Sequence, residues 1–260
     1  MRQAIRALGW ATTALWVFVL LFMGTVFYSL ANFGVGVGQS RAFPSNDGLT
    51  MSLPLIINNT GYYDISELNL TTYVKDCNGT LVSASTTYVS SISRGSSIVQ
   101  AHNISIRLND FVAKNLTDLF FNDTVLNVDT FITLRFARTI HFQMSTNTTV
   151  PWGAPLYNFS VEEISYNLTN RTLTVPIGFE NHSPFDVNGT VRLYVYDDKN
   201  EQVGSEEITV IATSRSGYKE RIEVPVNLSK PTERGQVHIF IETAQFSLGP
   251  IVEKWVVPND

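Results

Sequence analysis

The side chains whose types and spacing most plainly prepare a chemistry are amides. Asn-x-Ser/Thr triplets begin at Asn58, Asn69, Asn78, Asn103, Asn115, Asn122, Asn147, Asn158, Asn167, Asn170, Asn181, Asn188 and Asn227, thirteen in all. In such a triplet the asparagine amide accepts a glycan, so the chain reads as one that meets a glycosylating compartment. Turn-rich β proteins produce one or two triplets by composition alone. Thirteen exceed that expectation. Asn181 is the weakest acceptor of the set, because Pro184 follows its Ser183.

Other chemistries lack their spacing. His102, His141, His182 and His238 stand singly, none at metal-ligand spacing to another, and read as strand-surface residues. Gly34, Gly36 and Gly38 look superficially like a nucleotide loop but follow an apolar run and precede no helix, so they read as a flexible tether. Asp197-Asp198-Lys199-Asn200 reads as a hairpin turn, since a calcium loop would need glycine where Val203 stands. Glu162-Glu163 and Glu206-Glu207 are neighbours along strands and point to opposite faces, so neither pair can share a proton. There is no phosphate loop, nucleophile elbow or HExxH motif. The expectation is a non-enzymatic protein that uses no cofactor and no metal.

Charge narrows the partners. The net charge is −5, with 18 Lys plus Arg and no basic run after residue 6, which excludes a nucleic-acid footprint. Charged residues make up 16% of the chain, below the roughly 25% of soluble domains, and Asn, Ser and Thr replace them at the surface. Cys77 is the sole cysteine, so no internal disulfide can form and the domains rely on their cores. That suits an archaeal cell surface better than a eukaryotic one.

The elements that must carry these residues begin with a span. Leu8 through Ala31 contains no charge and is long enough as a helix to cross a hydrocarbon core of about 30 Å. Arg2 and Arg6 precede it and Arg41 is the next basic residue, so positive-inside bias places the N-terminus in the cytoplasm and the remainder outside. A cleaved signal peptide, with Ser29-Leu30-Ala31 as its processing site, is the competing reading. The expected layout is a cytoplasmic tail (1–7), a transmembrane helix (8–31), a linker (32–44), a first domain (45–150), a linker at Pro151-Trp152-Gly153-Ala154-Pro155 (151–156) and a second domain (157–260).

The outer part is a duplication. Residues 50–65, TMSLPLIINNTGYYDI, align without a gap to 172–187, TLTVPIGFENHSPFDV, pairing Thr50 with Thr172, Pro54 with Pro176, Asn59 with Asn181 and Asp64 with Asp186. After a one-residue slip Tyr73 meets Tyr194 and Val74 meets Val195, and further on Gly95 is paired with Gly217. Period-two alternation predicts strands at 51–57, 68–74, 81–89, 97–108 and 129–143. The second copy predicts them at 157–166, 172–179, 190–196, 203–213, 218–228, 236–246 and 251–257, with 110–121 the sole helical candidate beyond the span. The fold class is therefore all-β: two tandem immunoglobulin-like antiparallel sandwiches behind one N-terminal transmembrane helix.

Val175-Pro-Ile-Gly-Phe-Glu-Asn181, followed by Pro184-Phe185-Asp186-Val187 and the LYVY strand, resembles the late-embryogenesis-abundant type 2 or water-stress and hypersensitive-response (WHy) domain. His182 and Ser183 interrupt the family's asparagine-proline segment, and the first copy has no proline there. The resemblance implies a non-catalytic sandwich with roles in stress protection, lipid or membrane association or the cell surface.

The leading functional expectation is a membrane-anchored, glycosylated structural or adhesive surface protein, with a homo-oligomer or surface layer as partner. A second is an assembly subunit joined by strand addition, because residues 35–44 are poor in strand formers and would leave the first sandwich with an open edge. A third is a module holding lipid or sugar between its sheets, which requires an apolar pocket.

Overall fold

The computed structural model describes residues 2–39, 41–45, 47–167, 169–227 and 234–256, apart from the Arg2 side chain. Helix α1 (Arg2–Ala31) is long and apolar enough to cross a membrane, with mean hydropathy 2.1 over its most apolar 18 residues. Its hydroxyls are satisfied within it: Thr12 and Thr13 donate to the carbonyls of Leu8 and Gly9, and Ser29 donates to that of Thr25. Asn32 ends the helix, its backbone and side-chain amides both donating to the Tyr28 carbonyl.

The first module contains β1 (Phe33–Val37), β2 (Arg41–Ser45), β3 (Gly48–Asn59), β4 (Ile65–Lys75), β5 (Leu81–Ile92) and β6 (Ser96–Arg107). Short helices α2 (Asn109–Ala113) and α3 (Asp118–Phe121) follow, then β7 (Thr124–Phe136) and β8 (Ile140–Trp152). The second contains β9 (Tyr157–Val161), β10 (Ser165–Asn167), β11 (Thr172–Asn181), β12 (Val187–Tyr196), β13 (Gln202–Ala212), β14 (Ser216–Pro225), β15 (Arg234–Thr243) and β16 (Ser247–Val256). In each module a central strand, β3 or β11, is flanked on one side by β6 or β14 and on the other by the two short strands. The facing sheets run β5-β4-β7-β8 and β13-β12-β15-β16. All ladders are antiparallel, and the two copies have the same topology.

Several expectations are corrected. Residues 32–44 are no linker: β1 pairs with β3 from Phe33↔Asn59 to Val37↔Leu55, and β2 pairs from Arg41↔Ser52 to Ser45↔Gly48. The edge that strand addition was to fill is thus occupied by the chain itself. The strand expected over 157–166 is likewise broken into β9 and β10. Both breaks have one cause. Pro54 and Pro176 have no N–H to offer a neighbour, and the flanking strand parts beside each, leaving Gly38 and Glu162 to donate to the two proline carbonyls.

The strand expected over 129–143 is a hairpin that reverses at Ala137 and Arg138, both at positive φ, without the glycine or asparagine that announces such turns. The helix expected over 110–121 is two short ones. The one-residue slip between copies is a bulge in the β4–β7 ladder between Ser66 and Asn69, with Glu67 at φ 54°. The structural counterpart of Gly95 is Arg215 rather than Gly217, since both have positive φ and both precede the serine that pairs with Asn59 or its repeat counterpart Asn181.

The stretch 151–156 is packed, with Trp152, Ala154 and Leu156 at most 4% exposed. Trp152 Nε1 donates to the Leu119 carbonyl, and Phe120 packs against both Phe111 and Phe246, so α2 and α3 weld the modules through a shared core. Pro151 is accommodated because β8 is an edge strand.

Candidate hydrophobic-ligand site

The second module has a continuous core, whereas the core of the first is divided. One cluster gathers Leu55, Ile57, Ile65, Leu70, Leu134 and Phe136, and the remainder joins Leu49, Val74, Ile104 and Ile106 to the junction and the second module. Between them lies a cavity of about 760 Å³, lined by Leu30 of α1, Phe33, Val35 and Val37 of β1, inward residues of β3, β4, β6 and β7, and Phe142, Met144, Thr146, Thr148 and Val150 of β8. Among the described residues no charged side chain lines it. Ligand sites typically enclose about 300–1,000 Å³.

One side of this sandwich is closed. Ser83 and Ser85 of β5 donate through their hydroxyls to the Ser105 and Asn103 carbonyls of β6, and Thr87 bonds His102. The other side, between β1–β2 and β8, is open: Val37 and Met144 on its two lips are 63% and 45% exposed.

The duplication explains the opening. Ladder register makes Val150 the counterpart of Trp255, since they pair with Leu126 and Gly235. It makes Ala42 the counterpart of Tyr166, paired with Met51 and Leu173. In the second module Trp255 is 2% exposed and lies beside Tyr166, ring centroids 6.3 Å apart. Gly235 makes room, as a Cβ there would come within 2.7 Å of the indole. Two aromatic rings thus plug the space that a valine and an alanine leave vacant in the first module.

The floor of the cavity is polar where that of the second module is not. Thr87 Oγ1 lies 2.8 Å from His102 Nδ1, His102 Nε2 lies 3.0 Å from Thr72 Oγ1, and Thr72 Oγ1 lies 3.2 Å from Thr130 Oγ1. His102 and Thr72 are each 1% exposed, so the reading of His102 as a strand-surface residue is corrected. Burial pushes the His102 imidazole below its ordinary value and holds it neutral. Register places Ile208, Ile222, Leu193 and Ile239 at the four equivalent positions. Sequence reasoning missed this string, although setting each threonine against its aliphatic counterpart in the repeat marks it.

Helix α1 is docked at one end of this module. Thr25 Oγ1 is 2.7 Å from the Tyr63 hydroxyl, Ser29 Oγ accepts from the Tyr62 amide, and the Tyr28 and Tyr62 rings stack at 4.8 Å. Gly61 permits the contact, since a Cβ there would fall 2.7 Å from that of Ser29.

The glycan-acceptor candidates do not converge on the cavity. Asn58, Asn78, Asn103, Asn115, Asn122, Asn147, Asn158, Asn167, Asn170, Asn188 and Asn227 are exposed and spread over both modules; the Ser229 that completes the last triplet lies outside the described residues. Asn69 is half-buried on β4. Asn181 is fully buried, its amide donating to the carbonyls of Phe185, Ala212 and Thr213. Asn59 repeats this role in the first module, donating to Tyr63 and Ile92. Arg6 is exposed near the start of α1.

At the junction His182 bridges two carboxylates, Nδ1 lying 2.6 Å from Asp123 and Nε2 3.0 Å from Glu180, with the Tyr157 ring stacked on it at 4.2 Å. Asp123 first, then Glu180, holds its imidazole above the ordinary histidine value. Among the described residues no cluster of His, Cys, Asp or Glu is arranged to hold a metal.

No protein-family model and no curated protein matches the chain. Among solved structures it is similar to a red sea bream transglutaminase (13% identity, TM-score 0.32), covering 88% of this chain and 32% of that one. It is also similar to the periplasmic chaperone SfaE (13%, TM-score 0.31, covering 86% and 98%) and to a Parabacteroides merdae β-glucuronidase (15%, TM-score 0.27, covering 81% and 27%). The chain thus spans about a third of the transglutaminase and about a quarter of the glucuronidase, and at these scores none of the three bears on what the protein does.

Proposed function

We propose that this chain is a non-enzymatic, membrane-anchored surface protein that holds the hydrocarbon chain of a lipid between the sheets of its first sandwich. The observation that carries this reading is the 760 Å³ apolar cavity, open along β1 and β8, in the one module of a duplicated pair that lacks the Tyr166–Trp255 plug. Each methylene buried there contributes about 0.8 kcal/mol, so a long chain gains enough to stay bound. The second module, with its packed core, acts as a glycosylated spacer and surface element. Retention of α1 as an anchor is supported by its docking on Gly61–Tyr63, and the outward orientation by Arg6 and the exposed acceptor asparagines. The resemblance to the late-embryogenesis-abundant type 2 domain, a family whose roles include lipid association, accords with this assignment.

The test is lipid extraction and mass spectrometry on the full chain purified in mild detergent. The reading expects roughly one tightly retained lipid per chain. Retention falls in Ala42→Tyr, which sets the second module's tyrosine at the mouth, and is lost in Ala42→Tyr/Leu126→Gly/Val150→Trp, which supplies the whole plug. Protein that washes free of lipid, or retention indifferent to the plug, overturns it.

A further inference from the structure

The lipid-binding reading leaves the polar string on the cavity floor without a purpose, because a hydrocarbon chain gains nothing from Thr72, His102 and Thr130. In the second module the same four positions are aliphatic and the sandwich folds with an unbroken core. The fold therefore does not require the string.

Its connectivity has a direction. A neutral imidazole donates through one nitrogen and accepts through the other, so hydrogen bonds run along Thr87, His102, Thr72 and Thr130 in one sense or the reverse. In either sense the terminal group is the Thr130 hydroxyl, whose partner among the described residues is Thr72 alone. In one sense Thr130 has a proton left to give, and in the other a lone pair left to accept. Thr130 lines the cavity and faces its ladder partner Thr146 on the open edge. A string that reads equally well in both senses suits a group that both donates and accepts.

We infer that the bound molecule carries a single uncharged hydroxyl on a long hydrocarbon chain, and that Thr130 at the end of the Thr87–His102–Thr72 string is its recognition group. This rests on the lipid-binding reading and deepens it. An ionised headgroup is disfavoured in the interior, since among the described residues no charged side chain lines the cavity to compensate it. A plain alkane fits but leaves the Thr130 hydroxyl with Thr72 as its one partner and its remaining hydrogen-bonding capacity unused.

The test presents the full chain in detergent at pH 8 with an equimolar mixture of 1-hexadecanol, hexadecane and hexadecanoate, and quantifies what remains bound after washing. Hexadecanol is expected to exceed hexadecane about fivefold, the worth of one net hydrogen bond. Thr130→Val brings that ratio to about one, and Thr130→Ser, which keeps the hydroxyl, restores it. A thermal unfolding midpoint close to wild type identifies a Thr130→Val protein that is folded. Equal retention of alcohol and alkane by the wild type, a ratio unchanged in Thr130→Val, or preferential retention of ionised hexadecanoate overturns the inference while the lipid-binding reading stands. Retention of none of the three overturns both.

Discussion

Val150 and Trp255 occupy the same position on the last strand of their sandwiches, and the difference between them decides which sandwich is hollow. Trp255 reaches across Gly235 to lie beside Tyr166, whereas Val150 stands opposite Leu126 with Ala42 across the gap. The modules are otherwise built on one plan, so each serves as a reference for the other.

Trp255→Val is expected to open in the second module a space like that in the first. Truncating so large a buried side chain costs about 3–5 kcal/mol. Chemical denaturation of the full chain checks this: the second module should unfold at lower denaturant, and an apolar fluorophore should gain a binding site.

The string Thr87–His102–Thr72–Thr130 should behave as a unit. His102→Ile alone removes the middle member, leaving the Thr87 hydroxyl without its partner and the buried Thr72 hydroxyl with Thr130 alone, at a cost of about 1–3 kcal/mol. Replacing all four by their second-module counterparts, Thr87→Ile, His102→Ile, Thr72→Leu and Thr130→Ile, removes the unpaired groups together and recovers most of that loss. Unfolding free energies of the single and quadruple variants test the non-additivity.

The two perturbed histidines give opposite pH dependence. His182, raised by Asp123 and Glu180, contributes stability that is fully present below about pH 6.5, its unfolded value, and is lost as pH rises through the higher folded value. His102, lowered by burial, costs nothing above about pH 6.5 and subtracts stability as pH falls below it, because only the unfolded state takes up the proton. Unfolding midpoints measured from pH 5 to 9 should show the alkaline loss vanish in His182→Gln and the acid loss vanish in His102→Ile.

Glycopeptide mapping of protein from its native membrane should find Asn181 bare and glycans confined to exposed acceptors. Asn181→Ala leaves the carbonyls of Phe185, Ala212 and Thr213 without their common donor and should cost about 2–3 kcal/mol in thermal or chemical unfolding. Asn188→Gln, on the exposed face of β12, should leave stability close to wild type.

Much of this architecture was legible in the residues. Alternating apolar positions and the 50–65 to 172–187 alignment predicted the duplication and most strands of both sandwiches, though not β1 and β2, and the uncharged run Leu8–Ala31 predicted the helix ahead of them. Strand breaks beside Pro54 and Pro176 were not legible, because the missing donor matters only once a neighbouring strand is in place. The β7–β8 turn at Ala137 and Arg138 escaped for a related reason: nothing local favours positive φ there, and the ladders on either side impose it. The cavity was the least legible feature. It follows from a valine and an alanine standing where the register of the other copy holds a tryptophan and a tyrosine, and neither residue is unusual alone. The polar string was hidden too, as threonine and histidine are unremarkable on a strand until the inward face is known.

Leu30 belongs at once to the last turn of α1 and to the wall of the cavity, and Phe33 continues that wall a few residues on. For a helix that spans a bilayer, this sets the α1 end of the cavity beside the bilayer surface, where Ser29, Tyr28 and Asn32 hold the helix to Thr60 and Tyr62. A guest molecule would then pass between two oily phases without traversing water. Its exchange would be governed by partitioning and by how far the membrane itself acts as a reservoir, so occupancy would follow the composition of the surrounding leaflet rather than any concentration in solution.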